Sequence, residues 1–319
     1  MCGWGCALTS RSNREILKTD FYIEYPAYRR FLPRRLLRKG EVSLELEILR
    51  WIQQFANPFW DFFFETLSFL GEPLILVSIF CYIYWCLDKK RGLFLGYSVV
   101  MSLVLNGFIK DFFDFERPIG KPGIISRRLD TATGSSFPSG HTQSTAAFWT
   151  SLALSFRRRA LWAAAAVLIA GVGLSRLYLG VHYPKDVLAG LVLGLLSSLI
   201  LWSLYRRWGG RISLYLVSAA VFLPALFFEH NADFYKAFGL LLGITAGIYL
   251  ERRWVRFSPP VGTGRRIRRW AAGLLGLGIA AGILKLLLPA STPFLVLRYS
   301  IIGFLAVGGC PWLLVKLRL

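Results

Sequence analysis

Ten apolar stretches, separated by short polar loops, follow one another along most of the chain. They cover residues 51–70, 73–88, 92–112, 138–156, 160–181, 184–206, 213–228, 235–250, 270–288 and 294–315. A helix of about 20 residues crosses a hydrocarbon layer about 30 Å thick, and most of the stretches come close to that length. The pattern predicts an all-α polytopic membrane bundle with about ten transmembrane helices. Eight is the alternative, if two of the shorter stretches lie in the membrane interface.

The composition is typical of a membrane protein and not of a soluble one. Hydrophobic residues make up 55% of the 319 residues and only 18% are charged, whereas a soluble domain has about 25% charged residues. The formal net charge of +20 would suit a nucleic-acid binder. The basic residues, however, stand in short clusters between the apolar stretches, as in loops that flank membrane helices. We therefore expect membrane lipids as partners and no nucleic acid.

The basic clusters also predict the topology. They follow every even-numbered stretch, at Lys89–Arg91, Arg157–Arg159, Arg206–Arg211, Arg252–Arg269 and Lys316–Arg318. Because positively charged loops stay in the cytoplasm, both termini are predicted to be cytoplasmic and the odd-numbered exits to face outward. The loop 113–137 is the exception, since it should face outward and yet carries Arg117, Lys121, Arg127 and Arg128. Its charge suggests that some of these residues serve an anionic ligand.

Polar groups from four separate places in the sequence are predicted to meet at the outer boundary of the membrane. At about 1.5 Å per residue, Lys110 stands about 27 Å above the inner start of its stretch, and Arg176 about 24 Å above the start of its own. His141 begins an apolar stretch just after Pro138, and His182 lies in the turn that follows Arg176. Ionisable groups at such a depth in a membrane protein indicate a functional site.

The residue types favour an oxyanion such as phosphate as the ligand. Lys110, Arg117 and Arg176 would place three cations around one small volume. Ser139 and Gly140 would open a helix, and the N–H groups at a helix N-terminus bind anions. Glycine at this position leaves room for the backbone to approach the ligand closely.

The two histidines at this boundary suit the roles of nucleophile and proton donor. Asp186 follows His182 by four residues and can accept a hydrogen bond from its ring, which would present the other ring nitrogen for attack. No cluster of carboxylates suggests a metal site. Neutralisation of the ligand's charge is therefore expected to fall on the cations.

Three motifs in this order resemble the signature of the type 2 phosphatidic acid phosphatase superfamily, which includes lipid phosphate phosphatases and vanadium haloperoxidases. They are Lys110-(six residues)-Arg117-Pro118, Pro138-Ser139-Gly140-His141 and Ser175-Arg176-(five residues)-His182-(three residues)-Asp186. The resemblance covers roughly residues 60–206 and implies a six-helix core. We therefore expect a basic cytoplasmic leader with an amphipathic segment at 1–50, the phosphatase core at 51–208, and a four-helix membrane extension at 209–319.

The resemblance also implies a role for each motif residue. His182 would attack phosphorus and form a phosphohistidine, Asp186 would orient it, and His141 would protonate the leaving oxygen and later activate water. The phosphoryl oxygens would be held by Lys110, Arg117, Ser139, Gly140 and Arg176. Relatives of this kind work without a metal or another cofactor. The membrane setting favours a lipid phosphate or diphosphate, hydrolysed at the extracytoplasmic face.

Several alternatives stay open from the sequence. The same phosphohistidine could transfer its phosphoryl group to an acceptor other than water. A transporter or flippase could instead use the cationic site to bind a lipid headgroup, which the spans beyond residue 213 would suit. A bacterial plasma membrane is the predicted location, with a lumenal site in the endoplasmic reticulum as the alternative. The sequence indicates neither which lipid is the substrate nor the oligomeric state.

Three further predictions concern residues outside the motifs. Arg127 and Arg128 are expected to contact either the substrate headgroup or anionic lipid of the outer leaflet. His230 is expected to be an ordinary loop residue. Small residues at helical spacing favour close packing of helices, and this spacing is found at Gly239, Gly243 and Gly247.

Overall fold

The computed structural model describes residues 39–228, 230–259 and 262–318, and the regular elements in these ranges are all helical. The α-helices are α1 (Lys39–Gln53), α2 (Pro58–Leu70), α3 (Pro73–Tyr82), α4 (Lys89–Phe113), α5 (Gly140–Phe156), α6 (Arg159–Tyr178), α7 (Pro184–Trp208), α8 (Ile212–Phe222), α9 (Ala232–Leu250), α10 (Thr263–Leu287), α11 (Thr292–Phe304) and α12 (Cys310–Lys316). Single π-helical turns extend α3, α9 and α11, at Ile83–Leu87, Glu251–Val255 and Leu305–Gly309. Most of the predicted leader lies outside the described residues.

The helical membrane bundle predicted from the apolar stretches is confirmed. Among the described residues, five helical runs are long and apolar enough to cross a membrane: α4, α6, α7, α10 and Thr292–Lys316. The pair formed by α2 and Pro73–Leu87, bent by 48°, is a sixth candidate. Other predicted stretches form shorter helices, such as α5 with 17 residues and α8 with 11. The number of ten spans therefore stays a prediction.

The first predicted stretch, 51–70, is not one helix. The side chain of Asn57 accepts hydrogen bonds from the backbone N–H groups of Phe59 and Trp60, which caps the N-terminus of a new helix. Pro58 occupies the first turn of that helix, where its missing N–H group costs nothing. The predicted amphipathic segment consequently belongs to a separate helix, α1, which ends at Gln53.

The amphipathic helix α1 lies at the end of the bundle that also holds His182. Leu49, which is fully buried, packs with Leu177 and Tyr183 on either side of the turn that carries His182. Helix α1 also makes polar contacts with distant parts of the chain: Glu45 with Lys185 Nζ (2.8 Å), Arg50 with Pro122 O (2.8 Å) and Gln53 with Ile125 O (2.7 Å). The sequence placed this segment in the cytoplasm and the site outside. That separation is wrong, because burial of the apolar face of α1 brings it to the site end.

The other end of the described chain lies at the opposite end of the bundle. α12 packs against the turn Glu251–Val255, and the buried Glu251 pairs with Lys89 Nζ at 2.7 Å, at the start of α4. Lys89 and Lys110 are separated by almost the full length of α4. An even number of crossings, which needs both chain ends on one side, therefore does not hold for the part of the chain that the structure describes.

Close helix packing positions the elements of the site. At Gly190 an added Cβ atom would lie 2.6 Å from Ser139 O, so the absent side chain lets α7 press against the start of α5. At Gly107 an added Cβ would lie 2.6 Å from the Cα atom of Phe234, which brings α9 against α4. The packing role predicted for three small residues is confirmed, because added Cβ atoms would crowd α11 and its π-helical turn at Gly239, Gly243 and Gly247.

Cysteine labelling tests the arrangement of the two ends. Glu47→Cys on α1 and Lys121→Cys in the loop 113–137 should react with a membrane-impermeant maleimide from the same side of sealed vesicles, because both lie at the site end. Arg158→Cys, before α6, should react only from the other side. The parent protein, with its own cysteines, supplies the background. Labelling of Glu47→Cys together with Arg158→Cys would contradict the arrangement.

Candidate active site

His182 lies in the tight turn between α6 and α7, and its side chain is 2% exposed. Arg117 Nη1 lies 3.0 Å from His182 Nε2. Because a guanidinium can only donate hydrogen bonds, Nε2 must be the acceptor, and the proton of the neutral ring is on Nδ1. His182 Nδ1 faces Asp186 Oδ2 at 3.5 Å. The ring is thus held with the lone pair of Nε2 toward the cations of the site.

Asp186 is held by two other donors. Its Oδ2 atom accepts hydrogen bonds from Ser136 Oγ (2.5 Å) and from the backbone N–H of Tyr183 (2.8 Å). The 3.5 Å to His182 is longer than an ordinary hydrogen bond, and Ser136 Oγ also lies 3.5 Å from His182 Nδ1. Sequence reasoning missed Ser136, although its place three residues before Ser139 in the same motif loop was a signal.

Arg117 is fixed by backbone carbonyl groups. It donates to Thr133 O (2.7 Å), Gly134 O (3.0 Å) and Val181 O (2.9 Å). Within the described ranges no carboxylate lies within 4 Å of its guanidinium. Burial lowers the pKa of Arg117 to about 10, so the group stays charged at neutral pH. Arg117 therefore joins the loop 113–137 to the His182 turn and keeps a positive charge there.

Arg176, in the last turn of α6, is 0% exposed and has no carboxylate partner among the described residues. Its Nη1 atom donates to Ser68 Oγ at 2.7 Å, and Thr131 Oγ1 lies 3.5 Å away. Its Nε atom is buried and has no hydrogen-bond partner in the described part of the chain. A buried charge normally has a counter-ion, because leaving water costs several kcal/mol. Arg176 is thus placed to receive an anion.

Lys110, in the last turn of α4, is also buried, but it has an acidic neighbour. Its Nζ atom lies 3.5 Å from Asp233 Oδ2 and 3.4 Å from Thr133 O. Asp233 stands in the first turn of α9, so it belongs to the predicted C-terminal extension. Sequence reasoning missed this residue. Its position at the exit of the seventh apolar stretch, on the same predicted side as the motifs, was the available signal.

The start of α5 carries the second motif as predicted. Ser139 is the N-cap residue and is buried, and its backbone N–H donates to Asp186 O at 3.0 Å. An added Cβ atom at Gly140 would lie 3.3 Å from Asn106 Oδ1, so glycine allows α4 and α5 to approach each other. His141 Nε2 is buried and has no partner among the described residues.

The motif residues converge on one small volume. The charges of Lys110, Arg117 and Arg176 all act on both His141 and His182. Three cations, two imidazoles and the N-terminus of α5 therefore surround the same space. Such a set can bind an anion with several oxygens, place a nitrogen lone pair against it, and supply a proton.

Three other cations of the loop 113–137 do not face this space. Arg127 Nη2 pairs with Asp61 Oδ2 at 2.7 Å, and Arg128 Nη2 pairs with Glu72 Oε1 at 2.5 Å. Lys121 pairs with Glu116 at 3.4 Å. Most of the unusual charge of this loop is thus matched by nearby acids. Contact of Arg127 or Arg128 with a lipid headgroup stays a prediction, and the ion pairs favour a role in holding α2 to the loop.

His230 is not the ordinary loop residue that the sequence suggested. Its side chain is 6% exposed, and its Nδ1 atom lies 2.6 Å from Asp111 Oδ2. The ring packs against Phe234, with the ring centroids 4.3 Å apart. The prediction was wrong because Asp111, next to Lys110 at the end of α4, reaches a segment more than a hundred residues away.

Electrostatics favour a neutral His182. Burial, followed by the charges of Arg117, Arg176 and Lys110, lowers the pKa of His182 well below its usual 6.5. The ring therefore keeps its Nε2 lone pair at neutral and mildly acidic pH.

In the described ranges no group of three or more His, Cys, Asp or Glu side chains is arranged to hold a metal ion.

The fold and the site define an integral membrane protein with a cluster of cations around two histidines at one end of the bundle. The sequence profile of the PAP2 superfamily matches residues 91–209, which contain all three motifs. A second profile, described as the transmembrane extension of PAP2 superfamily phosphatases, matches residues 235–319. The chain belongs to the PAP2 superfamily, the family that the motifs resemble.

Named relatives include the putative undecaprenyl-diphosphatase YbjG of Escherichia coli, 33% identical over 42% of this chain and 71% of that protein. A probable sphingosine-1-phosphate phosphatase of Dictyostelium discoideum is 31% identical over 50% of this chain and 42% of its own length. The chain is also similar to the protein in the crystal structure of Aquifex aeolicus LpxE, with 27% sequence identity and a TM-score of 0.46. The match covers 50% of this chain and 95% of the LpxE chain. The chain spans about half the length of three of its relatives, 42% to 52%.

The lowered pKa of His182 can be measured by NMR, because the sequence contains three histidines. In protein with isotope-labelled histidine, the signal that is lost in His182→Asn should stay unchanged from pH 8 to pH 6 and titrate well below 6.5. In Lys110→Gln the same signal should titrate at a higher pH, because one repelling charge is removed. A midpoint at or above 6.5 in the parent protein would contradict the electrostatic picture.

Proposed function

We propose that this protein is an integral membrane phosphatase that hydrolyses a lipid phosphate or diphosphate through a phosphohistidine, without a metal. The observation that carries the proposal is the buried guanidinium of Arg176. No carboxylate in the described ranges pairs with it, and its charge repels a proton from both imidazoles. A phosphoryl group would supply the missing negative charge at this place. The relatives named as phosphatases support the same class of reaction.

In the first step His182 Nε2 attacks phosphorus, and the bond from phosphorus to the leaving oxygen breaks. His141, which can hold a proton once the negative phosphoryl group offsets the surrounding cations, gives that proton to the leaving oxygen, so the leaving group departs as an alcohol or a phosphate. In the second step His141 takes a proton from water, the water oxygen bonds to phosphorus, and the bond to Nε2 breaks. Asp186 and Ser136 keep the Nδ1 side of His182 in place throughout.

The cations stabilise negative charge as it develops on the phosphoryl oxygens. Arg176 and Lys110 are buried, so their attraction to these oxygens is little screened by water. Arg117 has a second task, because its Nη1 atom donates a hydrogen bond to His182 Nε2. Phosphoryl oxygens would compete for this donor and release the lone pair for attack. Ser139 and the N–H groups at the start of α5 complete the cradle.

The proposed location follows from the charges of the two ends. The basic clusters Lys89–Arg91 and Arg157–Arg159 lie at the end of the bundle away from the motifs. By the positive-inside rule that end faces the cytoplasm, so the site faces the extracytoplasmic side. A bacterial plasma membrane remains the proposed membrane, and a lumenal site in the endoplasmic reticulum the alternative. The described part of the N-terminal region, α1, would then be extracytoplasmic.

The catalytic proposal is tested with purified protein and phosphatidate in the presence of EDTA. Phosphate release should continue in EDTA and fall by at least about 1000-fold in His182→Ala, because the nucleophile is lost. With p-nitrophenyl phosphate, whose leaving group needs no proton, His141→Ala should accumulate one phosphohistidine per chain. Arg158→Gln, an exposed cation at the opposite end, is the control and should behave as the parent.

Full phosphate release by His182→Ala would refute this mechanism. A lipid movement that survives the loss of both His182 and His141 would instead favour the flippase alternative. Product analysis in the presence of alcohols separates the two enzyme alternatives. Free phosphate as the sole product favours hydrolysis, and a phosphorylated acceptor favours phosphoryl transfer.

The C-terminal extension is proposed to take part in the site through Asp233. This carboxylate is the counter-ion of Lys110, and it also accepts a hydrogen bond from Thr133 Oγ1 at 3.3 Å. A phosphoryl group that binds Lys110 must share the lysine with Asp233 or replace it. Asp233 would therefore compete with the phosphate product for Lys110 and favour release of that product.

Asp233→Asn separates this role from simple structural support. The variant should be less stable without ligand, since a buried lysine loses its counter-ion, and inorganic phosphate should restore much of the stability. Inhibition by phosphate should tighten by roughly tenfold, about 1.4 kcal/mol. Asp114→Asn, an exposed residue in a left-handed conformation that asparagine tolerates, is the matched control. Unchanged phosphate inhibition in Asp233→Asn would contradict the proposal.

A further inference from the structure

A cavity of about 560 Å³ lies at the end of the bundle opposite His182. This open cavity is lined by the start of α4, the end of α5, the end of α7 and the turn after α9. Its basic and aromatic walls are Lys89, Lys90, Arg91, Trp202, Tyr205, Arg206 and Arg252. Along α7, Arg206 is about 30 Å from Asp186, at 1.5 Å per residue. The cavity is thus separate from the candidate active site.

The walls of this cavity carry five cations and no carboxylate. Two of the cations have acidic partners outside the cavity, Lys89 with Glu251 at 2.7 Å and Arg91 with Asp88 at 3.3 Å. Lys90 and Arg206 have no carboxylate within 4 Å among the described residues. The cavity therefore has an excess of positive charge that the described chain does not neutralise.

The need to keep this end of the bundle in the cytoplasm does not explain why the cations surround one cavity. The positive-inside rule needs basic residues near the membrane, and it does not require them to surround one space. Arg158 and Arg211 meet that need at the same end of the bundle and do not line the cavity. The convergence of cations from α4, α7 and the turn after α9 is an additional feature.

The surroundings of the cavity favour a ligand that reaches it from the bilayer. A second, smaller cavity shares the walls Trp202 and Arg206 and continues to Ser203 and Arg207. On the preceding turns of α7, apolar side chains are exposed on the surface that would face lipid: Leu196, Leu199 and Ile200. An acyl chain could lie along this face while its headgroup enters the cationic cavity.

We propose that this cavity is a second phosphate-binding site, distinct from the catalytic one, and that it holds the phosphate group of an anionic phospholipid. Lys90 and Arg206 supply the charge that recognises the phosphate. Trp202, over which Arg206 lies at 5.9 Å from the ring centroid, is part of the wall that the two cavities share. Free inorganic phosphate offers the same chemistry from the aqueous side, so the test includes both sources.

Native mass spectrometry of the purified protein tests the lipid source. With added phosphatidylglycerol, the parent should retain one lipid molecule more than the double variant Lys90→Gln with Arg206→Gln. The affinity of the double variant for phosphatidylglycerol should be roughly 30-fold lower than that of the parent, because each cation near a membrane surface contributes about 1 kcal/mol. The matched control, Arg158→Gln with Arg211→Gln, loses the same charge at the same end and should bind as the parent. Phosphatidylcholine, which has no net charge, should not distinguish the variants.

Equilibrium dialysis with labelled inorganic phosphate tests the aqueous source. A loss of one bound phosphate in the cavity variant, without any change in lipid retention, would keep the second phosphate site and assign it to the free ion. Equal binding of both ligands by the cavity variant and the control variant would overturn the proposal. Since the readout is binding at the end away from His182, the result does not depend on whether the proposed catalysis is correct.

Discussion

Three cations around two imidazoles, Lys110 and Arg176 buried and Arg117 half-buried, set the main constraint on this structure. A buried ion costs several kcal/mol unless partners compensate, and here most partners are neutral. The hydroxyl groups of Ser68 and Thr131 accept hydrogen bonds from Arg176, and backbone carbonyl groups of the loop 113–137 accept hydrogen bonds from Arg117. Within the described residues Lys110 alone of the three has a carboxylate nearby. Such a site is suited to a ligand that brings several negative oxygens at once, and a phosphoryl group does so.

The elements around the site are arranged to hold those cations. Ion pairs from Arg127 and Arg128 fasten the loop 113–137 to α2, and α2 carries the Ser68 hydroxyl that contacts Arg176. These two arginines therefore hold the loop and α2 together beside the site, although their own side chains do not face it. On the other side of the bundle, absent side chains at Gly190 and Gly107 let α7 and α9 come close enough to place Asp186 and Asp233.

The C-terminal extension is joined to the part of the chain that carries the three motifs through the end of α4. Lys110 contacts Asp233, and the next residue, Asp111, contacts His230 at 2.6 Å. Two successive positions of one helix are thus paired with the same short segment before and at the start of α9. An extension attached in this way can influence how strongly the site holds a phosphate, although it carries none of the three motifs.

The sequence by itself determined the helical membrane class and the family, and it predicted eight candidate site residues. Apolar length is a local property of the chain, and the motif spacing places each group at a helix end or in a turn. Ser136, Asp233 and the pairing of His230 could not be found in this way. The contact of Lys110 with Asp233 joins residues 123 positions apart, and no local pattern encodes it.

Only the tertiary structure decided on which end α1 lies. The count of basic loops assigned that segment to the cytoplasm, because the positive-inside rule considers charge and not packing. The fold instead buries Leu49 beside the His182 turn and pairs Glu45 with Lys185, 140 positions away. Burial of an apolar face against a distant part of the chain is a property of the assembled bundle. For that reason the chemistry could be read from short motifs, while the partners of each charge depended on the three-dimensional packing.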